Sequence, residues 1–123
     1  MAKILIVDDE PEILQLCVLT LRKEHTIVTA ENGQDAVEKL KLDPPDLILL
    51  DVMLPGMDGY TLGLEISQDR DLSAIPVIVM TALSPAKSLF DKFTQVVDFL
   101  PKPFGMEELS AAVNKALAGP NKK

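Results

Sequence analysis

The sequence predicts an α/β fold in which a parallel β-sheet is covered by helices on both faces. Two observations support this fold class. First, residues 4–7 (ILIV), 47–50 (LILL) and 77–80 (VIVM) are short, uninterrupted apolar runs, which are typical of strands buried on both faces of a sheet. Second, helical patterns separate these runs, and such alternation implies right-handed crossovers between parallel strands.

The first half of the chain alternates between strand and helix patterns. After the first apolar run, Pro11 and the acids beside it favour the start of a helix. Residues 26–30 (TIVTA) are rich in β-branched side chains and predict the second strand. Residues 32–33 (NG) are interpreted as a turn, and residues 43–45 (DPP) end the second helix because proline cannot continue a helix.

The second half continues the alternation. Residues 54–59 (LPGMDG) are rich in turn formers and predict a loop between the third strand and the third helix. A short fourth helix is predicted over residues 86–93, a fifth strand near residues 96–100, and a fifth helix over residues 106–117. The sequence therefore predicts five strand–helix units.

Length and composition limit the classes of function. The chain has 123 residues, of which 47% are apolar and 25% charged, as expected for one globular domain. We expect the domain to span residues 1–118 and a tail or linker stub to span residues 119–123. The net charge of −7 argues against direct binding to nucleic acid, and no apolar run is long enough to cross a membrane. Cys17 is the sole cysteine, which excludes an internal disulfide, and we expect a cytoplasmic protein without a secretory signal.

Polar residues with complementary chemistry follow the predicted strands. Asp8 and Asp9 follow the first strand, Asp51 the third, Thr81 the fourth, and Lys102 the fifth. Because the carboxyl ends of parallel strands share one edge of a sheet, we expect these side chains to meet there. Close carboxylates repel each other unless a cation intervenes, and Mg²⁺ prefers oxygen ligands. A hydroxyl and an ammonium suit a phosphoryl group, and a carboxylate can accept one as an aspartyl phosphate. The alternative is that the paired acids only cap the first helix.

The chain resembles the receiver domain of bacterial two-component response regulators along essentially its whole length. Five stretches in the right order carry this resemblance: residues 6–10 (IVDDE), 46–51 (DLILLD), 54–59 (LPGMDG), 80–82 (MTA) and 102–104 (KPF). The resemblance implies a flavodoxin-like, doubly wound sheet of five parallel strands in the order 2-1-3-4-5, with five helices. It also implies a protein similar to the single-domain chemotaxis regulators, and the alternative is a receiver excised from a larger regulator.

The resemblance implies definite roles for matching residues. Asp51 corresponds to the residue that accepts a phosphoryl group from a phosphohistidine of a histidine kinase or phosphotransfer protein. Asp9 and Asp51 correspond to Mg²⁺ ligands. Asp8 corresponds to a residue that assists in holding the ion, and the backbone carbonyl of Met53 to a further ligand. Two further residues correspond to the switch and one to the counter-charge: Thr81 moves toward the phosphoryl group, Phe99 turns inward with it, and Lys102 pairs with the phosphoryl group.

The output of such a switch is less defined by the sequence. The family signals through the fourth helix, fifth strand and fifth helix to a downstream effector, yet residues 93–98 (FTQVVD) lack the glycine that many receivers have there. An alternative function is a small aspartyl-phosphate phosphatase or phosphotransferase, although Met53 stands where related enzymes have a second acid. A receiver that binds a partner without phosphorylation is a further alternative. No external substrate is expected for the leading hypothesis.

Overall fold

The computed structural model describes residues 2–51, 59–81 and 95–118, with the backbone alone for residues 59–61 and 81. The strands are β1 (Lys3–Val7), β2 (Thr26–Ala30), β3 (Leu47–Asp51), β4 (Val77–Thr81) and β5 (Val96–Pro101). The helices in these ranges are α1 (Pro11–Leu21), α2 (Gly33–Leu42), α3 (Gly59–Gln68) and α4 (Met106–Ala118). The helix predicted over residues 86–93 and the tail at 119–123 lie outside the described residues, as does most of the 54–59 loop. The helix predicted as the fifth is α4.

The five strands form one parallel sheet in the order β2-β1-β3-β4-β5. This order confirms the predicted doubly wound arrangement. The apolar runs of β1, β3 and β4 are buried, because these strands lie inside the sheet with helices on both faces. By contrast, β2 and β5 form the two edges, and most of their residues are partly exposed.

Two apolar clusters fill the space between the sheet and its helices. Alternate residues of β1 face opposite ways, so Ile4 and Ile6 join one cluster while Leu5 and Val7 join the other. The first cluster includes side chains of α1 and α4: Cys17, Leu21, Leu109 and Val113. The second includes side chains of α2 and α3: Ala36, Leu40, Leu62 and Ile66. Cys17 is buried and belongs to the core.

The helix starts follow from local sequence, with one correction. Pro11 is the first residue of α1. This position suits proline, because the first N–H of a helix has no partner within the helix and the fixed φ of proline is already helical. The predicted turn at residues 32–33 is instead the start of α2. Asn32 is the N-cap, and its side chain accepts a hydrogen bond of 2.8 Å from the backbone N–H of Asp35. Asparagine favours both turns and N-caps, which is why the sequence alone did not separate them.

The residue directly before β5, Gln95, is a buried glutamine. The Nε2 atom of Gln95 donates to the backbone oxygens of Ile75 at 2.9 Å and Leu72 at 3.3 Å. The N–H of Val77 in turn donates to the backbone oxygen of Gln95 at 2.8 Å. Gln95 therefore ties the start of β5 to the segment that leads into β4.

Candidate functional site

Asp8 and Asp51 lie side by side at the carboxyl ends of the two central strands. Val7 pairs with Leu50, so the residues that follow them occupy adjacent positions at one edge of the sheet. The N–H of Asp8 donates to the backbone oxygen of Ala30 at 3.0 Å, which fixes the chain as it leaves β1. Both side chains are buried, with Asp8 0% and Asp51 3% exposed as residues. Buried carboxylates are uncommon unless they are paired or coordinate a metal.

Asp9 completes a cluster of three carboxylates. Asp8, Asp9 and Asp51 each place one carboxylate oxygen within 4.8 Å of the others, and Asp9 is exposed to solvent. The Oδ1 atom of Asp8 accepts a hydrogen bond of 2.9 Å from the backbone N–H of Glu10. This bond holds the Asp8 carboxylate at the point where the chain turns from β1 into α1.

Lys102 brings a positive charge into the cluster. Its Nζ atom lies 2.7 Å from Glu10 Oε1, 2.9 Å from Asp8 Oδ2 and 3.5 Å from Asp51 Oδ2. The peptide bond between Lys102 and Pro103 is cis. Burial alone would lower the pKa of Lys102, but its contacts with Glu10 and Asp8 and the charge of Asp51 outweigh burial and raise the pKa. The lysine therefore remains an ammonium at any physiological pH.

The cluster fits a divalent cation that prefers oxygen ligands. The carboxylates of Asp8, Glu10 and Asp51 contact the ammonium of Lys102, and Asp9 lies beside Asp8 and Asp51, so these described groups together are negative. The Oδ2 atom of Asp8 is buried and has no hydrogen-bond partner among the described residues, although it lies in ion-pair distance of Lys102. Lys102 compensates only part of this negative charge, and a cation at this edge would stabilise the remaining close carboxylates.

The charge cluster also affects the core beneath it. Burial, reinforced by the negative charge of Asp8 and opposed by the positive charge of Lys102, raises the pKa of the Cys17 thiol to about 12. The thiol is therefore neutral at physiological pH and behaves as a small apolar core group.

The structure brings together four of the residues that the sequence placed at this site: Asp8, Asp9, Asp51 and Lys102. Thr81 ends β4 opposite Pro101, which puts its backbone at the same edge. Met53 and the Thr81 side chain lie outside what the structure describes.

Phe99 and Glu10 complete the comparison with the sequence predictions. Phe99 is partly buried and packs against the cluster that α2 and α3 form with the sheet. Sequence reasoning assigned Glu10 only to the start of α1 and missed its contact with Lys102. Its position directly after Asp8 and Asp9, at the same strand end, was the signal available in the sequence.

Comparisons with known proteins now decide the family. Residues 4–114 match the family model described as the response regulator receiver domain. The chain belongs to the response regulator receiver family. Receivers are signalling domains of two-component systems that are phosphorylated on an aspartate, and they typically bind Mg²⁺ at an acidic pocket.

Relatives of this receiver include proteins of the same length and longer ones. It is 36% identical to the protein PilH of Pseudomonas aeruginosa over 121 residues, which cover 97% of this chain and all of PilH. It is also 36% identical to the alkaline phosphatase synthesis transcriptional regulatory protein PhoP of Bacillus subtilis, covering 94% of this chain but 48% of PhoP. The chain thus spans about half the length of such transcriptional regulators.

A solved structure shows the same fold. The chemotaxis response regulator CheY4 of Vibrio cholerae superposes with a TM-score of 0.86 at 29% identity, covering 94% of this receiver and 98% of CheY4. In the described part of this receiver, no helix has the length and apolar character needed to span a membrane.

Proposed function

We propose that Asp51 is the phosphoacceptor of this receiver and that its phosphorylation switches the domain between two signalling conformations. The observation that carries the proposal is the placement of Asp51 beside two acids and an ammonium at one sheet edge. The buried carboxylate of Asp51 lies within reach of a counter-charge for the phosphoryl group, because Lys102 Nζ is 3.5 Å from its Oδ2.

The chemistry is a transfer between two nucleophiles. A carboxylate oxygen of Asp51 forms a bond to the phosphorus of a phosphohistidine, and the bond from phosphorus to the donor's imidazole nitrogen breaks. The electron pair of that bond returns to the imidazole, which is thereby regenerated. Lys102 contributes by pairing with the phosphoryl oxygens as their charge becomes concentrated beside Asp51.

Four groups of this chain would hold Mg²⁺: the carboxylates of Asp9 and Asp51, the carboxylate of Asp8 acting through water, and the backbone carbonyl of Met53. When bound, the ion neutralises charge on the acids and on the phosphoryl oxygens. The close approach of three carboxylates within 4.8 Å supports this assignment, because the single ammonium of Lys102 leaves negative charge that a cation would neutralise.

The switch itself would involve Thr81 and Phe99. The hydroxyl of Thr81 donates a hydrogen bond to a phosphoryl oxygen, and Phe99 turns further inward as Thr81 moves. Two features are compatible with this role: β4 and β5 pair directly, and Phe99 is only partly buried before phosphorylation. The output surface would comprise the segment at residues 86–93, β5 and α4.

The proposal includes the surroundings of the switch. The receiver domain spans residues 1–118, and residues 119–123 form a tail or linker. A histidine kinase or phosphotransfer protein supplies the phosphoryl group in the cytoplasm, and an effector of unknown identity reads the state. This domain acts on no external substrate. It does not bind nucleic acid either, in keeping with its net charge of −7.

Intact-mass measurement after incubation with acetyl phosphate and Mg²⁺ tests the proposal. We expect one added phosphoryl group on the wild-type chain and none on Asp51→Asn. Asp71→Asn is the matched control, because it removes an exposed carboxylate away from the acid cluster and should leave the modification unchanged.

Two outcomes would contradict the proposal. A wild-type chain that stays unmodified with acetyl phosphate and with phosphohistidine donors would indicate a receiver that works without phosphorylation. Steady release of phosphate from unrelated phosphomonoesters, lost in Asp51→Asn, would instead favour a small phosphatase.

A further inference from the structure

Among the described residues, three contact the Lys102 ammonium, and Glu10 makes the shortest of these contacts. Its Oε1 lies 2.7 Å from Lys102 Nζ, against 2.9 Å for Asp8 and 3.5 Å for Asp51. The contact with Glu10 is also a hydrogen bond between residues 92 positions apart in sequence. In the described part of the chain, the residue nearest to the Lys102 ammonium therefore has no role in the phosphoryl transfer proposed above.

The backbone of Glu10 is fixed in a way that aims its side chain at Lys102. Its N–H donates to Asp8, and its backbone oxygen accepts from Ile13 and Leu14 at 3.1 Å each. Glu10 is the N-cap of α1, yet its side chain makes no capping hydrogen bond. The carboxylate is thus not used to stabilise the helix start, a role that the shorter side chains of Ser, Thr, Asp and Asn commonly take.

We propose that Glu10 is a positioning residue that holds the Lys102 ammonium toward the outer side of the acid cluster in the unphosphorylated receiver. This inference rests on the proposed phosphoacceptor role of Asp51. Glu10 is about half exposed, with 52% of its side chain accessible, whereas Asp8 is fully buried. The ammonium is therefore shared between a solvent-facing carboxylate and the buried carboxylates of the site.

Sharing the ammonium has two consequences of opposite sign. Lys102 and a divalent cation compete for the oxygens of Asp8 and Asp51, so drawing the lysine toward Glu10 favours cation binding. A phosphoryl group on Asp51, however, must compete with Glu10 for the same ammonium, so Glu10 opposes phosphorylation once the cation is bound. Glu10 therefore raises the affinity for the cation and slows phosphorylation at saturating cation.

Glu10→Gln separates these effects, because it keeps the size of the side chain and removes its charge. Partly exposed ion pairs are worth little, so we expect Mg²⁺ affinity to fall about two- to fivefold and the rate with acetyl phosphate at saturating Mg²⁺ to rise by a similar factor. The affinity is measured by following backbone amide shifts of the unphosphorylated protein during a Mg²⁺ titration. The rate is measured by intact mass.

Glu12→Gln is the matched control. Glu12 is an exposed acid in the same first turn of α1, and within the described ranges it makes no ion pair or hydrogen bond through its side chain. It should change both quantities less than Glu10→Gln does. A structural defect would lower both Mg²⁺ affinity and rate, so only the opposite signs support positioning.

Either of two results would overturn the inference: equal effects of the two substitutions, or a fall in both quantities for Glu10→Gln. If the wild-type chain takes no phosphoryl group at all, the proposed function fails. The Mg²⁺ titration of the unphosphorylated protein still tests the placement of Lys102 in that case, because unchanged affinity in Glu10→Gln would refute it.

Discussion

The polar side chains at the two ends of the β-sheet differ in how they are paired. At the amino end, Asp46 accepts a hydrogen bond of 2.8 Å from the N–H of Lys3, and Gln95 donates to two backbone oxygens. At the carboxyl end, three aspartates crowd within 4.8 Å, and Asp8 keeps a buried oxygen without a hydrogen bond among the described residues.

The polar groups at the amino end therefore stabilise the fold, whereas the acids at the carboxyl end are arranged to bind a ligand. A buried polar group with its partners in place contributes to stability, whereas close like charges lower it. Both ends belong to the same strands, so the contrast arises from the side chains rather than from the backbone. We therefore expect substitutions at the amino end to lower the free energy of unfolding, and binding of Mg²⁺ at the carboxyl end to raise it.

The largest effect is expected at Gln95. Gln95→Ala removes two hydrogen bonds and opens a cavity, and it leaves the backbone oxygen of Ile75 without this donor, while the oxygen of Leu72 keeps the N–H of Ile75. We expect the free energy of unfolding to fall by about 3 kcal/mol, since each buried group deprived of its partner costs about 1–3 kcal/mol. Urea denaturation measures the loss.

Gln15→Ala is the control for the Gln95 substitution. Gln15 is exposed on α1, so its replacement should change the stability by no more than about 0.5 kcal/mol. If Gln95→Ala changes the free energy of unfolding as little as Gln15→Ala does, this side chain does not stabilise the amino end. The proposed contrast between the two ends then loses its main support.

The next effect is expected from Mg²⁺ at the carboxyl end. The ion should raise the free energy of unfolding, by about 1.4 kcal/mol at ten times its dissociation constant, because it binds the folded acid cluster and not the unfolded chain. Asp9→Asn should lose most of this gain, and it should be more stable than the wild type without Mg²⁺ because one like charge is gone. Urea denaturation with and without Mg²⁺ measures both effects.

Glu12→Gln serves again as the control for charge alone and should keep the full gain from Mg²⁺. A wild-type receiver whose stability does not change with Mg²⁺ would show that the acid cluster is stable without a cation. The distinction between the two ends of the sheet would then be wrong at its carboxyl end.

The sequence predicted the carboxyl end better than the amino end. Asp8 and Asp51 were found because they directly follow buried apolar runs, and parallel strands bring their ends to one edge. The contact between Glu10 and Lys102 joins positions 92 residues apart and depends on the path of the chain after β5. The bonds of Gln95 depend likewise on where the 72–75 segment lies, which no local pattern specifies.

The smallest effect is expected at Asp46, and it tests whether hydrogen bonding or charge stabilises the amino end. Asp46 also donates its own N–H to the backbone oxygen of Lys3 at 2.7 Å, so the two residues are joined twice. Asp46→Ala should lower the free energy of unfolding by about 0.5–1 kcal/mol, whereas Asp46→Asn keeps an acceptor oxygen and should cost less. Urea denaturation and hydrogen exchange of the Lys3 amide measure both variants.

The charge of Asp46 is not expected to matter, because the ammonium of Lys3 pairs with Asp43 instead. Equal losses for Asp46→Ala and Asp46→Asn would therefore mean that charge, and not the hydrogen bond, stabilises this end of the sheet. In that case charge would affect stability at both ends of the sheet, with opposite signs. The acids at the carboxyl end repel each other and lower stability, whereas attraction between Asp46 and nearby cations would raise it. Unequal losses would retain the distinction between hydrogen bonds at one end and unbalanced charge at the other.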